Sequence, residues 1–189
     1  MKSIVWVIFI SMSMILHASS AVEKAEKEFR AGKYLNAKNI LRKAANKGDI
    51  KAQINLGFMY EHGSGIKQEY DKALYWYQKA AQKENAKAQF NLGYMYAYGK
   101  GVKQDDSAAL KWYKKAAKNK DVNAQYTLGT LYYNGKVVKQ DYKKAAKWFE
   151  EAAKQEDAQA QYNLGVMYAE GKGVSQNYLM AIKWYEKAA

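Results

Sequence analysis

The chain contains no cysteine and no proline, and only two histidines, one of which, His17, lies near the amino terminus. Without cysteine there are no disulfide staples and no thiolate metal ligands, so stability must come from packing. Without proline, helix boundaries and turns have to be marked by other residues, chiefly the 13 glycines. His62 has no His or Cys companion, which removes the usual ligand set for zinc. Long apolar runs are equally scarce. The one present, from Ile4 to Leu16, is interrupted only by Ser11 and Ser13 and is shorter than the ~20 residues that span a bilayer.

That run follows Met1-Lys2-Ser3 and precedes the small residues Ala18, Ser19, Ser20 and Ala21. A short basic start, an apolar stretch and a small-residue end form the pattern of a secretory signal. Residues 1–21 are expected to be that signal, cleaved after Ala21 with Ser19 three positions before the cut. The mature chain would begin at Val22, in the periplasm or outside the cell. Retention of the segment as an anchor is the alternative; a lipid anchor is excluded because no cysteine follows the run.

The formal charge is +13, and it is unevenly spread. Residues 22–51 carry nine basic and four acidic side chains, and residues 88–123 carry seven and three. A basic exported protein attracts anionic lipid, acidic polymer or acidic protein. Lysines that merely solvate outward helix faces are the other reading. Nucleic acid would require one continuous basic stripe. Lys111, Lys114, Lys115 and Lys118 are instead interrupted by the apolar Trp112 and Ala116, so no nucleic-acid partner is expected.

What the chain does have is one phrase stated four times. Ala52-Gln53-Ile54-Asn55-Leu56-Gly57-Phe58-Met59-Tyr60 returns from Ala88, Ala124 and Ala160, each step being 36 residues without slippage. A fixed period of this length marks stacked helical repeats. Asp49, Asn85, Asp121 and Asp157 stand where they cap a first helix, and Gly63, Gly99, Gly135 and Gly171 stand where they end it. A second glycine follows at Gly65, Gly101 and Gly173. The third repeat has Val137 there, so its loop is expected to lack a left-handed position. The second helix begins after Glu69, Asp105, Asp141 and Asn177, with Glu69 the weakest cap. It carries Trp76, Trp112, Trp148 or Trp184, an aromatic neighbour and a pair of alanines that let helices approach closely. Residues 22–48 read as a divergent opening pair, with helices near 22–31 and from Tyr34, and repeats follow at 49–84, 85–120, 121–156 and 157–189.

The Ala-x-Ala-Gln-x-x-Leu-Gly-x-x-Tyr phrase, the Gly-x-Gly-Val loop and the Trp-Tyr-x-Lys-Ala-Ala helix resemble the Sel-one-like repeat (SLR) branch of the tetratricopeptide superfamily over residues 49–189. The departures are Val137 and the opening pair. The resemblance implies an all-α fold, a right-handed superhelical solenoid of antiparallel helix pairs, with first helices on the concave side. It also implies an adaptor that binds other proteins, often in the bacterial envelope.

Partner-binding candidates flank Leu-Gly on the first helix. One column is Ile54, Phe90, Tyr126 and Tyr162; the next is Asn55, Asn91, Thr127 and Asn163; the third is Phe58, Tyr94, Thr130 and Val166. Rings beside amides suit an extended or helical peptide. The same rings also fit an inter-repeat core, and the amides a backbone bond to the next repeat. Lys38, Arg42, Lys43 and Lys47 form a basic patch on the opening pair, the expected place for peripheral contact with an anionic membrane surface. The chain stops at Ala188-Ala189 with its last helix complete, so self-association through that helix, or cover by a partner, is expected.

Catalysis has little to stand on. Ser64-Gly65-Ile66-Lys67 matches the Ser-x-x-Lys of penicillin-recognising enzymes, and some cysteine-rich SLR relatives carry a β-lactamase label. However, Lys100, Lys136 and Lys172 replace the serine in the other repeats, and the Ser-Asp-Asn and Lys-Thr-Gly companions are missing. The reading is a non-enzymatic, cofactor-free, exported scaffold for a protein or peptide. A charge-driven binder of anionic lipid or polymer comes second, and a β-lactam hydrolase third.

Overall fold

A computed structural model describes residues 20–189, so the expected signal segment lies outside the described residues except for Ser20 and Ala21. The described residues form ten α-helices and no strand. They gather into two compact units, one ending at Lys83 and the other comprising Glu84–Ala189. The first unit holds α1 (Ser20–Arg30), α2 (Tyr34–Asn46), α3 (Ile50–His62) and α4 (Tyr70–Ala81). The second holds α5 (Ala86–Tyr98), α6 (Asp106–Lys118), α7 (Val122–Asn134), α8 (Tyr142–Ala153), α9 (Ala158–Glu170) and α10 (Tyr178–Ala188). Within each unit, short connections make consecutive helices antiparallel neighbours.

The expected caps are in place. Asp49, Asn85, Asp121 and Asp157 accept hydrogen bonds from the backbone N–H of Ala52, Ala88, Ala124 and Ala160 at 2.7–3.0 Å. Asp105, Asp141 and Asn177 cap the second helices in the same way. Glu69 makes no cap bond and instead pairs with Lys72 at 2.7 Å. Gly63, Gly99, Gly135 and Gly171 end the first helices in the left-handed conformation. Gly65 and Gly173 are left-handed too, but Val137 is not. The glycine at this position also permits close approach: a Cβ on Gly173 would lie 2.2 Å from the Tyr142 carbonyl oxygen.

The glycine of Leu-Gly has a packing role. A Cβ on Gly57, Gly93, Gly129 or Gly165 would sit 2.6 Å from the ring of Tyr77, Tyr113, Phe149 or Tyr185 respectively. Each first helix therefore lies directly on the aromatic residue that follows the tryptophan of its own second helix. Around these contacts Leu56, Leu92, Leu128 and Leu164 are almost wholly buried, as are the alanine pairs Ala80-Ala81, Ala116-Ala117 and Ala152-Ala153.

The regular spacing of the glutamines has an equally specific cause. Gln53, Gln125 and Gln161 are buried and donate to the carbonyls of Ala45, Ala117 and Ala153 in the preceding helix. Those last-turn carbonyls also accept a turn bond from the backbone N–H of Gly48, Lys120 and Glu156, so each glutamine uses the second lone pair. On the acceptor side, Asn119 donates to Gln89 Oε1 at 3.0 Å and Gln155 to Gln125 Oε1 at 2.7 Å. Lys83 stands at the matching position of the first unit but donates to the Gly48 carbonyl, leaving Gln53 Oε1 buried without a partner.

Candidate functional site

The predicted columns meet different fates in the two units. In the first, Ile54 and Asn55 are each 7% exposed, so these two expected groove residues belong to the core. For Asn55 the cover is α1: its Ala25, Glu26 and Phe29 face Asn55, Phe58 and Met59 across a void of about 10 Å³. The opening pair thus fills the space that a partner would need. Phe58 is half-buried and stacks on His62 at 4.1 Å.

In the second unit the same register opens. Tyr126, Thr130, Tyr133 and Asn134 of α7, Phe149 of α8, and Tyr162, Asn163 and Val166 of α9 line one cleft of about 360 Å³. Five of these were singled out from sequence; Tyr133, Asn134 and Phe149 were not. Thr127 is half-buried and outside the lining. Phe90, Asn91 and Tyr94 on α5 are half-buried and likewise outside it.

The ring column packs against the second helix of its own repeat. Phe90, Tyr126 and Tyr162 pack their rings 5.6, 5.7 and 5.5 Å from Tyr113, Phe149 and Tyr185. Yet Tyr162 remains 57% exposed, so one face of it is free for contact. Burial pushes the phenol pKa of Tyr113 and Tyr185 upward, with neighbouring groups, Tyr162 among them for Tyr185, adding to it. These tyrosines are neutral hydrogen-bonding groups throughout the ordinary pH range.

The amide column is freer than a structural role requires. Among the described residues, no hydrogen bond engages the side chains of Asn91, Asn163 or Asn134, whereas the Thr130 hydroxyl turns back to the Tyr126 carbonyl at 3.1 Å. A cleft with unengaged amides can satisfy both N–H and C=O of an incoming backbone.

Lysines from the interhelix loops lie on tyrosines of the first helices. Lys172 donates to the Tyr133 hydroxyl at 3.2 Å, lies over the Tyr133 and Tyr142 rings and pairs with Glu170 at 2.8 Å. The Glu170 contact first, then Tyr133, holds its ammonium pKa well above the usual lysine range. Lys100, at the same register two repeats earlier, lies 4.5 Å over Tyr94 and donates to its hydroxyl.

The remaining candidates are dispersed. Lys38 is half-buried while Arg42, Lys43 and Lys47 are exposed. At ~100° per residue Lys38, Arg42 and Lys43 spread over roughly 140° of α2, and Lys47 follows its last residue, Asn46. Ser64 lies in the loop beyond α3, not at a helix start. Among the described residues there is no cluster of metal-ligating side chains, and no helix is long and apolar enough to cross a membrane.

The Sel1 repeat profile matches residues 50–85, 86–121, 122–157 and 158–189, one residue later than the division by helix caps. The chain is similar to a Sel1 repeat protein of known structure from Oxalobacter formigenes, with 35% identity and a TM-score of 0.81, covering 88% of this chain and 68% of that one. It is also 35% identical to c5321, a protective antigen of uropathogenic Escherichia coli strains displaying an SLR fold, with a TM-score of 0.80. That match covers 89% of this chain but only 37% of the longer protein. A putative Sel1 repeat protein from Klebsiella pneumoniae, 23% identical with a TM-score of 0.56, covers 89% of this chain and 84% of its own, and shares the fold. No curated protein matches the sequence significantly. Four registered profile matches and two related structures at 35% identity make this chain a member of the Sel1 repeat family, all-α helical-repeat solenoids that generally serve as scaffolds for protein–protein interaction.

Proposed function

We propose that the chain is an exported scaffold that holds a protein or peptide against the first helices of its later repeats. The observation that carries this reading is the cleft of α7, α8 and α9, with a largely exposed Tyr162 and unengaged amides on Asn134 and Asn163. Rings supply contact area at low entropic cost, and amides fix the backbone of what they hold. The Ser64 loop has neither the helix start nor the companion elements that a β-lactam hydrolase needs. Export rests on the basic, apolar and small-residue sequence of positions 1–21.

The test is a photo-crosslinking amino acid placed at Tyr162 of the full chain, with Lys111 on α6 as the comparison, irradiated in intact cells and in envelope extract adjusted beforehand to low or high salt. Discrete adducts from position 162 that persist at high salt support a scaffold with this cleft. Adducts from neither position, or only ones lost at high salt, favour charge-driven association with the envelope. Amino-terminal sequencing of the fractionated protein tests cleavage after Ala21.

A second contact is proposed on α10, where Tyr178, Leu179 and Ile182 are 65%, 76% and 52% exposed. At the register of Leu179 the preceding repeats carry Asp71, Ser107 and Lys143. Sedimentation of the full chain beside Leu179→Lys tests self-association: a dimer that the substitution dissociates is expected, and a monomer in both cases rejects it.

A further inference from the structure

The cleft of the second unit has a composition that its first-unit counterpart lacks. Four rings, from Tyr126, Tyr133, Phe149 and Tyr162, surround it, and no carboxylate or ammonium is among its lining residues. At about 360 Å³ it is near the lower end of ligand sites, which run from ~300 to 1,000 Å³. That space takes one large side chain with its adjoining backbone rather than the surface of a folded domain. Apolar, ring-walled surroundings favour an aromatic side chain there, which gains offset or edge contacts with its neighbours. Asn163 and Asn134, unengaged elsewhere, are placed to hold the backbone on either side.

Outside the rings the charge balance is basic. The loop position that is Ser64 in the first unit is Lys100, Lys136 and Lys172 in the second. Two of these already lie on tyrosines: Lys100 on Tyr94, outside the cleft, and Lys172 on the cleft residue Tyr133. Residues 84–189 hold 17 basic and 11 acidic side chains in all. The carboxylate that pairs with Lys172, Glu170, is solvent-exposed. Exposed pairs of this kind are worth little, so exchanging Glu170 for a partner's carboxylate costs little.

We infer that the cleft receives a peptide segment in which an aromatic side chain is flanked by acidic residues, the ring entering between Tyr126, Phe149 and Tyr162 and the carboxylates meeting Lys172 and Lys136. This rests on the scaffold reading and narrows it. One such segment binds per chain, because α1 closes the matching space in the first unit.

The test is selection of a random dodecapeptide phage library on the full chain, followed by fluorescence titration of a labelled synthetic peptide from the enriched pool. Enriched sequences are expected to place Trp, Phe or Tyr beside Asp or Glu, and to bind with one-to-one stoichiometry. Tyr162→Ala is expected to weaken binding about tenfold or more, as for an interface hot spot, with Tyr162→Phe restoring most of it. Lys172→Gln is expected to weaken binding severalfold and flatten its salt dependence, with Lys111→Gln neutral. The exposed positions chosen leave the fold intact, which circular dichroism checks. No enrichment, enrichment of basic or ring-free peptides, or binding indifferent to Tyr162→Ala overturns the inference. Salt-resistant crosslinking from position 162 alongside any of these results would leave the scaffold reading standing without it. Peptide selection as expected, with no cellular adduct, would retain the cleft chemistry and reject the cellular role.

Discussion

Replacing Gly129 by alanine sets two effects of opposite sign against each other. In a helix interior alanine is favoured over glycine by ~0.8–1 kcal/mol, so propensity alone predicts a more stable protein. The structure predicts the reverse. The added Cβ would lie 2.6 Å from both Cδ1 and Cε1 of Phe149, a ring that is 2% exposed and cannot swing outward freely. Overpacking of this kind costs ~1–3 kcal/mol, so the net expectation is a loss of about 1 kcal/mol, or up to 2 where the ring moves least. Chemical denaturation of the full chain gives the midpoint, and an unchanged slope shows that the unfolding unit is the same. Phe149→Leu supplies the decisive control, because removing the ring edge lets propensity act alone. In that background Gly129→Ala should be neutral or stabilising, giving a coupling of about 2 kcal/mol between the two sites. A higher midpoint for Gly129→Ala alone, or an equal loss in both backgrounds, would refute the close-approach account of Leu-Gly.

Three further outcomes are expected from the same titration. Burial outweighs the cap hydrogen bond at Asp121 and pushes its carboxyl pKa up to about 6, above the ~3.9 of an unfolded chain. The folded state then binds the proton first, so this group's contribution to stability rises as pH falls from about 7 to about 4. Asp121→Asn keeps the cap, as Asn85 does in the preceding repeat, and should raise stability by about 2 kcal/mol at pH 7 with no gain at pH 4; a constant difference would contradict the assignment. Lys120 turns left-handed with φ 65° where the opening pair has Gly48, so Lys120→Gly should stabilise by about 0.5–1 kcal/mol once the glycine entropy is set against the relieved strain. Gln155→Ala removes the donor to the buried Gln125 Oε1 and should cost ~1–3 kcal/mol; Lys83→Gln, which offers Gln53 the missing donor, should move the midpoint the other way.

The period, the caps and the helix-ending glycines were legible in the sequence because each is a local signal repeated in register. Seven of the eight expected cap residues form the side-chain bond that their type permits, and Glu69, the one weak choice, does not. What joins one helix to another was less accessible. The Leu-Gly glycine reads as part of a buried face, but its requirement comes from a ring twenty residues later. The left-handed Glu84, Lys120 and Glu156 look like ordinary helix formers, and only Gly48 at the same register hinted at the turn. Asn55 reads as a groove residue from its place in the repeat, whereas α1 covers it in the first unit; Ile54 is buried there as well.

The cleft shows why departures from the repeat carry more functional information than the repeat itself. Ala124, Leu128 and Gly129 are what packing demands, and their counterparts are alike in every unit. Tyr133 is different: its register holds Glu61 in the first repeat, and Ala97 and Ala169 in the second and fourth. Glu61 is buried and accepts a hydrogen bond from Tyr77, which ties that position into the first unit's core. Alanine at 97 and 169 supplies no wall. Only at 133 does a ring reach the space beside Tyr126, where it also gives Lys172 an anchor. The scaffold is therefore built by what the four repeats share, while the wall that makes one cleft distinct comes from a single residue that they do not.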